Sequence, residues 1–444
     1  MMPTGRALLI ASDRSGSGKT TVTSIIAAAL SSKLKVRAFK VGPDYIDPGY
    51  HKVATELPSI NLDLWLMGEE KLKETFCRYM RGVDLGLIEG VMGLYDGVEV
   101  GSSTFHVAKL LSLPVILVID CSNISYTAGA IVKGLRDYGP VNVVGVIFNN
   151  VASSNHYNAC KSSLPKDVVS LGYIPYDAGL IINERHLGLV TVEDYGNKVK
   201  GIIKRGVELI NGKINLDLIY DLAEPVNCEH VNEQEDYGNK LGVAAVAYDN
   251  AFLFYYRASL DLLSSIFDLR FFSPINNEVV NNASFIYIGG GYPELHLREL
   301  EAARDTASWL RKAAYDGVPI LAECGGLMYL SKYIRDDREY SMVGLFDIGI
   351  AAKDRLTIGY TELESIVDNP LVPAGLRIRG HEFHVSRAEY SNERYVFRNI
   401  RGRGIMNSYD GVLLNNALGL YTHTYLPSIP GVRDRIINIG KHLR

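Results

Sequence analysis

The sequence predicts an α/β fold with two domains, the first of which is built on a parallel β-sheet. The chain has 444 residues, 47% of them hydrophobic and 22% charged, so at roughly 100–200 residues per domain it should form two or three globular units. Short apolar, β-branched runs alternate with helix-like segments before and after a polar, acidic stretch at 222–240. This alternation indicates parallel strands joined by helices. The polar stretch indicates a linker between domains at 1–221 and 241–444.

Eight apolar runs are predicted to be buried strands, because each is short and rich in β-branched residues. Those of the first domain are Ala7–Ala11, Val36–Lys40, Leu85–Glu89, Pro114–Asp120 and Val143–Phe148, and those of the second are Val243–Tyr248, Phe285–Ile288 and Pro319–Ala322. Residues Glu294–Ala314 have the apolar spacing of a helix. The second half of the chain is therefore predicted to be another α/β domain.

Charge and cysteine content narrow the class of function. The formal net charge is −4 and no run of basic residues is present, which argues against nucleic acid and anionic membranes as partners. The apolar run Ala7–Ala11 is far below the roughly 18 residues of a membrane span and lacks a signal-peptide layout. The five cysteines are scattered and never form a C-x-x-C pair, so we expect neither a disulfide framework nor a zinc site. These features predict a cytoplasmic protein that acts on small molecules.

A phosphate-binding loop is predicted at Ser12–Thr20, between the first strand and a helix-like segment. Its glycines let backbone N–H groups converge on phosphate oxygens, its lysine supplies a mobile cation, and its threonine hydroxyl can bind Mg²⁺. Asp13 stands where the full motif has its first glycine, and a Gly/Ser-rich turn is the alternative interpretation. The agreement of strand, loop and helix favours ATP binding. The predicted ATP-binding residues are Gly16, Gly18, Lys19 and Thr20.

Two acidic segments follow later strands, at the sheet edge where parallel sheets bind their ligands. The first, KVGPDYIDP, begins at Lys40, and the second, EGVMGLYDG, begins at Glu89. Mg²⁺ that bridges ATP phosphates usually takes one or two carboxylates and water. We therefore expect Thr20, Glu89 and Asp47 to bind it. The alternative is that the aspartates of these segments only cap turns beside proline and glycine.

The second domain contains a cysteine in a context that resembles a nucleophile elbow. An apolar strand runs directly into Cys324, and two glycines and a helical stretch follow it. The sharp turn would expose the thiol, and a helix N-terminus would favour its thiolate. A buried structural cysteine is the commoner alternative, but the flanking glycines argue against it. Backbone N–H groups at Gly290, Gly291 and Gly325 are candidates for stabilising an oxyanion. A base is also needed, and His423 follows the last strand-like segment, although sequence spacing does not bring it to the cysteine.

Several motifs follow one another over nearly the whole chain in the order found in a known family. They are the phosphate loop, KVGPDYIDPGYH, EGVMGLYDG, RHLGL at 185–189, AYDNAFLFYY, GGGYPE, AECGGLMYL and GHEFH at 380–384. In these motifs the chain resembles the cobyrinic acid a,c-diamide synthase family. The neighbouring cobyric acid synthase family is similar in architecture, but its counterpart of EGVMGLYDG reads differently. The chain departs from the family pattern at Ser12-Asp13, at Val385 and at Tyr425.

The resemblance implies a dethiobiotin-synthetase-like ATP domain fused to a class I glutamine amidotransferase domain that lacks the usual third acidic residue. It implies ATP- and Mg²⁺-dependent amidation of the a and c acetates of cobyrinate in cobalamin biosynthesis. Glutamine or ammonia would supply the nitrogen, and the carboxylate would react as an acyl phosphate. Cys324 is then the glutaminase nucleophile and His423 the residue that activates it. The residues implied to bind the tetrapyrrole are Lys40, Asp44, Tyr45 and Asp47.

Several alternatives stay open at the level of sequence. Hydrogenobyrinate and nickel-sirohydrochlorin carry similar acetate side chains, so either could replace cobyrinate as the macrocycle. A P-loop switch ATPase is a distant alternative, since such proteins carry lysine where this loop has Arg14 and would leave the cysteine domain unexplained. His381 and His384 should lie on opposite faces of a strand, so we expect them to be structural or to contact substrate, not to bind metal. A homodimer is also considered.

Overall fold

The computed structural model describes residues 5–181, 184–185, 188–189, 192–228, 238 and 240–442. The chain falls into two units, residues 1–233 and 234–444. Most of the predicted linker, at 229–237 and 239, and residues 186–187 of the RHLGL motif lie outside the described residues. Each unit has its own β-sheet and its own hydrophobic core.

A parallel β-sheet forms the centre of the first unit. Its strands are β1 Arg6–Ser12, β2 Val36–Val41, β3 Ile60–Leu62, β4 Leu85–Glu89, β5 Val115–Asp120, β6 Val143–Val151 and β7 Val169–Pro175. They lie in the order β3-β2-β4-β1-β5-β6-β7, with all neighbours parallel. The short strands β8 Glu184–Arg185 and β9 Gly188–Leu189 pair with each other, and β10 Glu224–Pro225 pairs antiparallel with β1. The carboxyl ends of β1, β2 and β4 thus lie side by side, where ligands of such sheets bind.

Helices alternate with these strands along the chain. They are α1 Lys19–Ser31, α2 Asp47–Thr55, α3 Leu64–Met80, α4 Thr104–Leu110, α5 Thr127–Tyr138, α6 Ser154–Ser162, α7 Val192–Ile210 and α8 Leu216–Leu222. In α1, the fully buried residues Val22, Ile25 and Ile26 recur at the spacing of one helix face and belong to the same core as Leu8 and Ile10 of β1. Each such side chain contributes roughly 1.5–3 kcal/mol by burial, which fixes α1 against the sheet directly after the phosphate loop.

The second unit has a mixed β-sheet. Its strands are β11 Val243–Ala247, β12 Asp268–Phe272, β13 Ala283–Ile288, β14 Ile320–Glu323, β15 Ser331–Arg335, β16 Glu339–Ser341, β17 Phe346–Ala351, β18 Thr357–Ser365, β19 Arg377–His384, β20 Arg387–Ser391, β21 Tyr395–Arg401, β22 Tyr409–Leu414, β23 Ala417–Leu420 and β24 His423–Thr424. The main sheet has the order β12-β11-β13-β14-β23-β22-β21-β18-β19-β24. It is parallel from β12 to β23 and antiparallel from there on. A smaller sheet has the order β16-β15-β17-β20.

The helices of the second unit are mostly short. They are α9 Arg257–Ile266, α10 Leu297–Ala302, α11 Arg304–Tyr315, α12 Gly325–Leu330 and α13 Val432–His442. The single helix predicted at 294–314 is divided, because Ala303 leaves the helical conformation between α10 and α11. In the described part of the chain, no helix has both the length and the apolar character that a membrane span requires.

The predicted fold class and strands are confirmed. Each of the eight predicted strands coincides with an observed one, namely β1, β2, β4, β5, β6, β11, β13 and β14. The strands that sequence analysis missed are edge strands such as β12, which is largely exposed, and most strands of the antiparallel half. Strands with an exposed face mix polar and apolar residues, so they lack the continuous apolar run by which buried strands are recognised.

The expectation that the cysteines form no disulfide is wrong. Cys77 in α3 is bonded to Cys228, which follows β10. The two positions are 151 residues apart in the sequence, so no local spacing could indicate the pair, and only the fold brings them together. Packed structure also extends into the start of the predicted linker, since β10 lies there. The cysteine content therefore gives no support to a reducing compartment.

Candidate active site

The phosphate loop joins β1 to α1 at the carboxyl edge of the first sheet. Gly16 and Gly18 have φ angles of +76° and +86°, in the left-handed region that glycine adopts without strain. At Gly18 space also excludes a side chain, because a Cβ would lie 2.3 Å from Nδ2 of Asn149. Asn149, on β6, donates from Nδ2 to the carbonyl oxygen of Ser17 at 3.0 Å. Glycine geometry and a side chain from another strand together hold the bend of the loop.

Lys19 begins α1, and its side chain folds back along the loop. The ammonium donates hydrogen bonds to Oγ of Ser12 at 2.8 Å and to the carbonyl oxygens of Met92 at 2.6 Å and Arg14 at 3.2 Å. Burial, reinforced by the nearby ammonium of Lys40, lowers the pKa of Lys19 to about 8. All three acceptors are neutral, so an anionic phosphate in the loop would be a stronger partner for this ammonium.

Glu89, at the C-terminal end of β4, is fully buried and is the centre of a polar network. Its Oε1 accepts from Oγ1 of Thr20 at 2.8 Å and from Nζ of Lys40 at 2.9 Å. Its Oε2 lies 2.5 Å from Nε2 of His51. Lys40 also forms an ion pair with Oδ2 of Asp47 at 2.6 Å. The structure therefore brings four predicted site residues together and adds His51, which sequence analysis did not single out.

At Glu89 and Lys40, the two central residues of this network, the effect of opposite charges on the pKa outweighs that of burial. Burial alone would raise the pKa of Glu89, but Lys40 and His51 hold it well below its ordinary value. Burial alone would lower the pKa of Lys40, but Asp47 and Glu89 hold it well above its ordinary value. At Asp47, burial and the neighbouring carboxylate of Asp44 raise the pKa. Lys40 and Glu89 are thus a buried charged pair at the sheet edge.

Two of the predicted acidic residues serve backbone turns. Oδ1 of Asp44 accepts from the N–H groups of Ile46 at 2.7 Å and Asp47 at 3.0 Å. Oδ2 of Asp96 accepts from the N–H of Gly93 at 2.7 Å. Both aspartates therefore make the hydrogen bonds of a turn cap. This role uses one oxygen of each carboxylate and shapes the two segments that border the phosphate loop.

The donor set at the sheet edge fits Mg²⁺ bound together with a nucleotide. Across the described ranges, no group of three or more His, Cys, Asp or Glu side chains is arranged to hold a metal by itself. The Thr20 hydroxyl and the Glu89 carboxylate, in direct contact, suit a Mg²⁺ that takes its other ligands from phosphate and water. Asp47 is less well placed to bind the same ion, because the ammonium of Lys40 lies between its carboxylate and that of Glu89.

In the second unit, Cys324 stands at a sharp turn between β14 and α12. Its φ and ψ are +49° and −100°, a strained combination for a residue other than glycine and one that is typical of functional sites. Space requires glycine at position 326, and Gly325 is closely packed. A Cβ at Gly326 would lie 2.2 Å from the carbonyl oxygen of Ile288, and one at Gly325 would lie 3.2 Å from the backbone N of Gly291. The elbow geometry is present, and two of the predicted oxyanion residues are neighbours.

The C-terminal segment runs beside the cysteine. Strands β14 and β23 are parallel, with Glu323 opposite Leu420, and Cys324 donates its N–H to the carbonyl oxygen of Leu420 at 2.7 Å. Oε1 of Glu323 then accepts from the N–H of Thr424 at 2.8 Å and from its hydroxyl at 2.6 Å. The segments that carry Cys324 and His423 are therefore bonded directly to each other.

His423 is buried among aromatic side chains. Its ring stacks on that of His381, with centroids 4.8 Å apart and planes inclined by 10°. Gly290 packs so closely that a Cβ there would lie 2.3 Å from Cε1 of the imidazole. Burial, reinforced by His381 and His384, lowers the pKa of His423 well below its ordinary value. The ring is therefore neutral at neutral pH and able to accept a proton.

The thiol of Cys324 is protonated at neutral pH. Burial raises its pKa, and the carboxylates of Glu294 and Glu323 add to the effect. The thiol lies 3.7 Å from the carbonyl oxygen of Phe383, to which it donates. The N–H of Gly325, at the start of the following helix, lowers the pKa of the thiol, which is the direction predicted, but burial and the carboxyl groups of Glu294 and Glu323 outweigh it. If this thiol is to act as a nucleophile, a base must remove its proton.

Sequence analysis missed three residues that shape the two sites. His51 and Glu323 lie inside the motifs KVGPDYIDPGYH and AECGGLMYL, so the motifs contained them without indicating their contacts. Asn149 lies in none of the quoted motifs, and only its contact with the phosphate loop reveals it.

Comparison with known proteins assigns a class to each half of the chain. Residues 8–189 match the CobQ/CobB/MinD/ParA nucleotide binding domain, and residues 243–429 match the CobB/CobQ-like glutamine amidotransferase domain. Fold and sites thus define a nucleotide-binding domain joined to a glutamine amidotransferase domain.

Similar proteins cover nearly the whole chain. The cobyrinate a,c-diamide synthase of Saccharolobus solfataricus is 52% identical over 95% of this chain and 98% of its own length. That of Sulfurisphaera tokodaii is 49% identical over 96% and 98%, and that of Caldanaerobacter subterraneus is 39% identical over 98% and 99%. The chain belongs to the cobyrinate a,c-diamide synthase family, as its motifs predict.

Proposed function

We propose that this protein is an ATP-dependent ligase that amidates the a and c acetate carboxylates of cobyrinate in cobalamin biosynthesis, with glutamine as the nitrogen donor. The observation that carries the proposal is the presence of two complementary sites in one chain of this family. The first unit has a phosphate loop whose lysine lies beside a buried acidic network. The second has a cysteine elbow bonded to the segment that carries a neutral histidine. Carboxylate activation and ammonia supply need these two kinds of site.

The nucleotide site activates the carboxylate. A carboxylate resists ammonia because its leaving group would be oxide, so it must first become an acyl phosphate. Lys19 and the N–H groups of the loop hold the ATP phosphates for in-line transfer. The acetate oxygen bonds to the γ-phosphorus while the bond from that phosphorus to the β-phosphate oxygen breaks. Ammonia then displaces inorganic phosphate, and each acetate consumes one ATP.

Mg²⁺ is the expected partner of ATP in this site. Thr20 and Glu89 are the residues that would hold it, and when bound it neutralises charge on the phosphates. Asp47 can join them if Lys40 moves out from between the two carboxylates. Lys40 and Glu89 otherwise keep each other charged, so the carboxylate stays ionised at the sheet edge despite its burial.

The tetrapyrrole is proposed to bind along the segment after β2. Lys40 places a buried positive charge there, and Asp44 fixes the backbone of the turn by its two hydrogen bonds. Tyr45 is partly exposed and offers an aromatic face to a flat macrocycle. Asp47 completes the set through its ion pair with Lys40. Hydrogenobyrinate and nickel-sirohydrochlorin carry similar acetates, so they are compared directly in the test.

The cysteine site supplies ammonia. Sγ of Cys324 attacks the side-chain carbonyl carbon of glutamine, while neutral His423 takes the thiol proton and passes it to the leaving amine. Backbone N–H groups at Gly290, Gly291 and Gly325 are proposed to bind the oxyanion. Water then cleaves the thioester and releases glutamate, and the ammonia reacts with the acyl phosphate.

The test is direct amidation by the purified protein. It is incubated with ATP, Mg²⁺ and either glutamine or ammonium chloride, with each of the three macrocycles in turn, and the products are weighed by mass spectrometry. Two amidations of cobyrinate are expected with either donor. Absence of amidation on all three macrocycles would overturn the proposal, and a faster reaction on another macrocycle would change the assigned substrate.

Two variants separate the half-reactions. Cys324→Ser should abolish amidation with glutamine and spare it with high ammonia, because the nucleophile makes ammonia but does not use it. Lys19→Ala should remove both activities, because the acyl phosphate precedes attack by either source of nitrogen. Equal loss of both activities in the cysteine variant, or a surviving ammonia reaction in the lysine variant, would contradict these roles.

A further inference from the structure

A histidine that manages protons works best when a third group fixes its ring. No carboxylate residue lies within two positions of His423, since the local sequence is YTHTY at 421–425. We propose that His381 is the positioning residue for His423, and that Tyr256 fixes His381 in turn. This inference rests on the proposed role of His423 as the base of the glutaminase site.

The sheet register places the two histidines together. Strand β24 pairs antiparallel with β19, and His423 stands directly opposite His381. Directly opposed side chains on neighbouring strands contact each other. Here the two rings are nearly parallel, with centroids 4.8 Å apart. A flat ring at this distance blocks rotation of the His423 imidazole about its bond to Cβ, while leaving the ring edges that carry the nitrogens clear of the stack.

Tyr256 holds the second ring of the stack. Its hydroxyl lies 2.7 Å from Nε2 of His381, and both side chains are buried. Tyr256 also packs edge-on against Tyr425, with ring centroids 5.5 Å apart. The residue two positions past His423 therefore belongs to the same cluster, and it supports the tyrosine that orients His381.

Two carboxyl groups near His423, those of Glu323 and Glu382, accept hydrogen bonds from backbone groups. Oε1 of Glu323 accepts from the N–H and the hydroxyl of Thr424, so it fixes the chain beside His423. Oε1 of Glu382 accepts from the N–H of Gly404 at 2.6 Å, and Oε2 accepts from that of Arg403 at 3.0 Å. The nearly parallel stack on His381 is thus a direct contact with the face of the His423 ring.

The experiment compares two substitutions of His381, one that keeps a flat ring and one that does not. His381→Phe keeps an aromatic ring, whereas His381→Leu removes it. The glutaminase kcat should fall up to about 100-fold in the leucine variant, as expected for misplacement of a catalytic group by roughly 1 Å. It should fall clearly less in the phenylalanine variant, which keeps the stacked ring but loses the hydrogen bond to Tyr256. KM for glutamine and the ammonia-dependent activity should stay unchanged in both. Alkylation of Cys324 by iodoacetamide, followed on its peptide by mass spectrometry, should slow in parallel with kcat.

The same substitutions in a His423→Asn background identify the partner through which His381 acts. There His381→Leu should cause no further loss, because the ring that it positions is absent. A wild-type kcat in the leucine variant, an equal loss in the phenylalanine variant, or a full additional loss in the double variant would overturn the proposal. Tyr256→Phe, which removes only a hydroxyl, should lower kcat in the same direction and keeps the proposal testable if the leucine variant does not fold. If His423→Asn alone leaves glutaminase and alkylation rates unchanged, the proposed base itself is wrong, which is a different outcome.

Discussion

Replacing Glu323 by glutamine tests how strongly burial affects the pKa of the carboxyl group beside Cys324. The residue is 1% exposed, and burial raises its pKa from 4.5 to about 7. Hydrogen bonds from Thr424 and from the hydroxyl of Tyr287 at 2.7 Å oppose this effect without cancelling it. Glutamine keeps the shape of the side chain and one carbonyl oxygen but does not ionise. The substitution therefore isolates the cost of the charge.

The sign of the pH effect follows from the raised pKa. Such a group contributes stability that is fully present below its unfolded pKa and is lost as the pH rises through its folded pKa. The difference between 4.5 and about 7 corresponds to about 3 kcal/mol at high pH. We expect the Glu323→Gln protein to match the wild type in stability at about pH 4. At about pH 9 it should be more stable than the wild type by up to about 3 kcal/mol.

Unfolding of the second unit can be followed with one tryptophan. Trp309 in α11 packs edge-on against Phe272, with ring centroids 5.1 Å apart. The other of the two tryptophans, Trp65, is in the first unit. In a Trp65→Phe background, fluorescence during urea unfolding therefore reports the second unit, and the proteins with and without Glu323→Gln are compared over this pH range. Equal slopes against urea show that only stability has changed.

A stability difference that stays constant with pH would refute the raised pKa of Glu323. A difference of the opposite sign, with the glutamine variant losing stability as the pH rises, would show that the hydrogen bonds outweigh burial. Glu323 would then be ionised in the folded protein at neutral pH, and a full negative charge would lie beside Cys324.

Two further substitutions test features that the structure explains directly. Gly326→Ala should lower glutamine-dependent activity at least about tenfold and spare ammonia-dependent activity, because the added Cβ would lie 2.2 Å from the carbonyl oxygen of Ile288 and would displace the turn at the nucleophile. Unchanged glutaminase activity would contradict this requirement for space. Cys77→Ser should lower the free energy of unfolding of the first unit by about 2–5 kcal/mol. The stability of this variant should then not change when a reductant is added. An unaltered urea midpoint in the variant would show that the disulfide contributes nothing.

The phosphate loop and the cysteine elbow could be located from sequence because their signals are local. At Lys19 and again at Cys324, a strand, a glycine-containing turn and a helix follow one another without a gap. The turn residues must adopt special backbone angles, as at Gly18, and so the sequence itself limits what can stand there. For the same reason the buried parallel strands were predictable, since a continuous apolar run has few alternative uses in a chain of this composition.

The partners of these residues were decided only by tertiary structure. Glu89 meets His51 because α2 packs against β2, which lies next to β4 in the sheet. His381 meets His423 because β24 joins the sheet next to β19, and the disulfide connects positions 151 residues apart. Such contacts arise from pairing between distant segments, for which neither spacing nor periodicity carries a signal. The charge states of the side chains are likewise decided by tertiary structure and not by sequence. Sequence indicates that a thiol and an imidazole are present, but burial in the folded protein raises the pKa of Cys324 and lowers that of His423, which favours the neutral form of both.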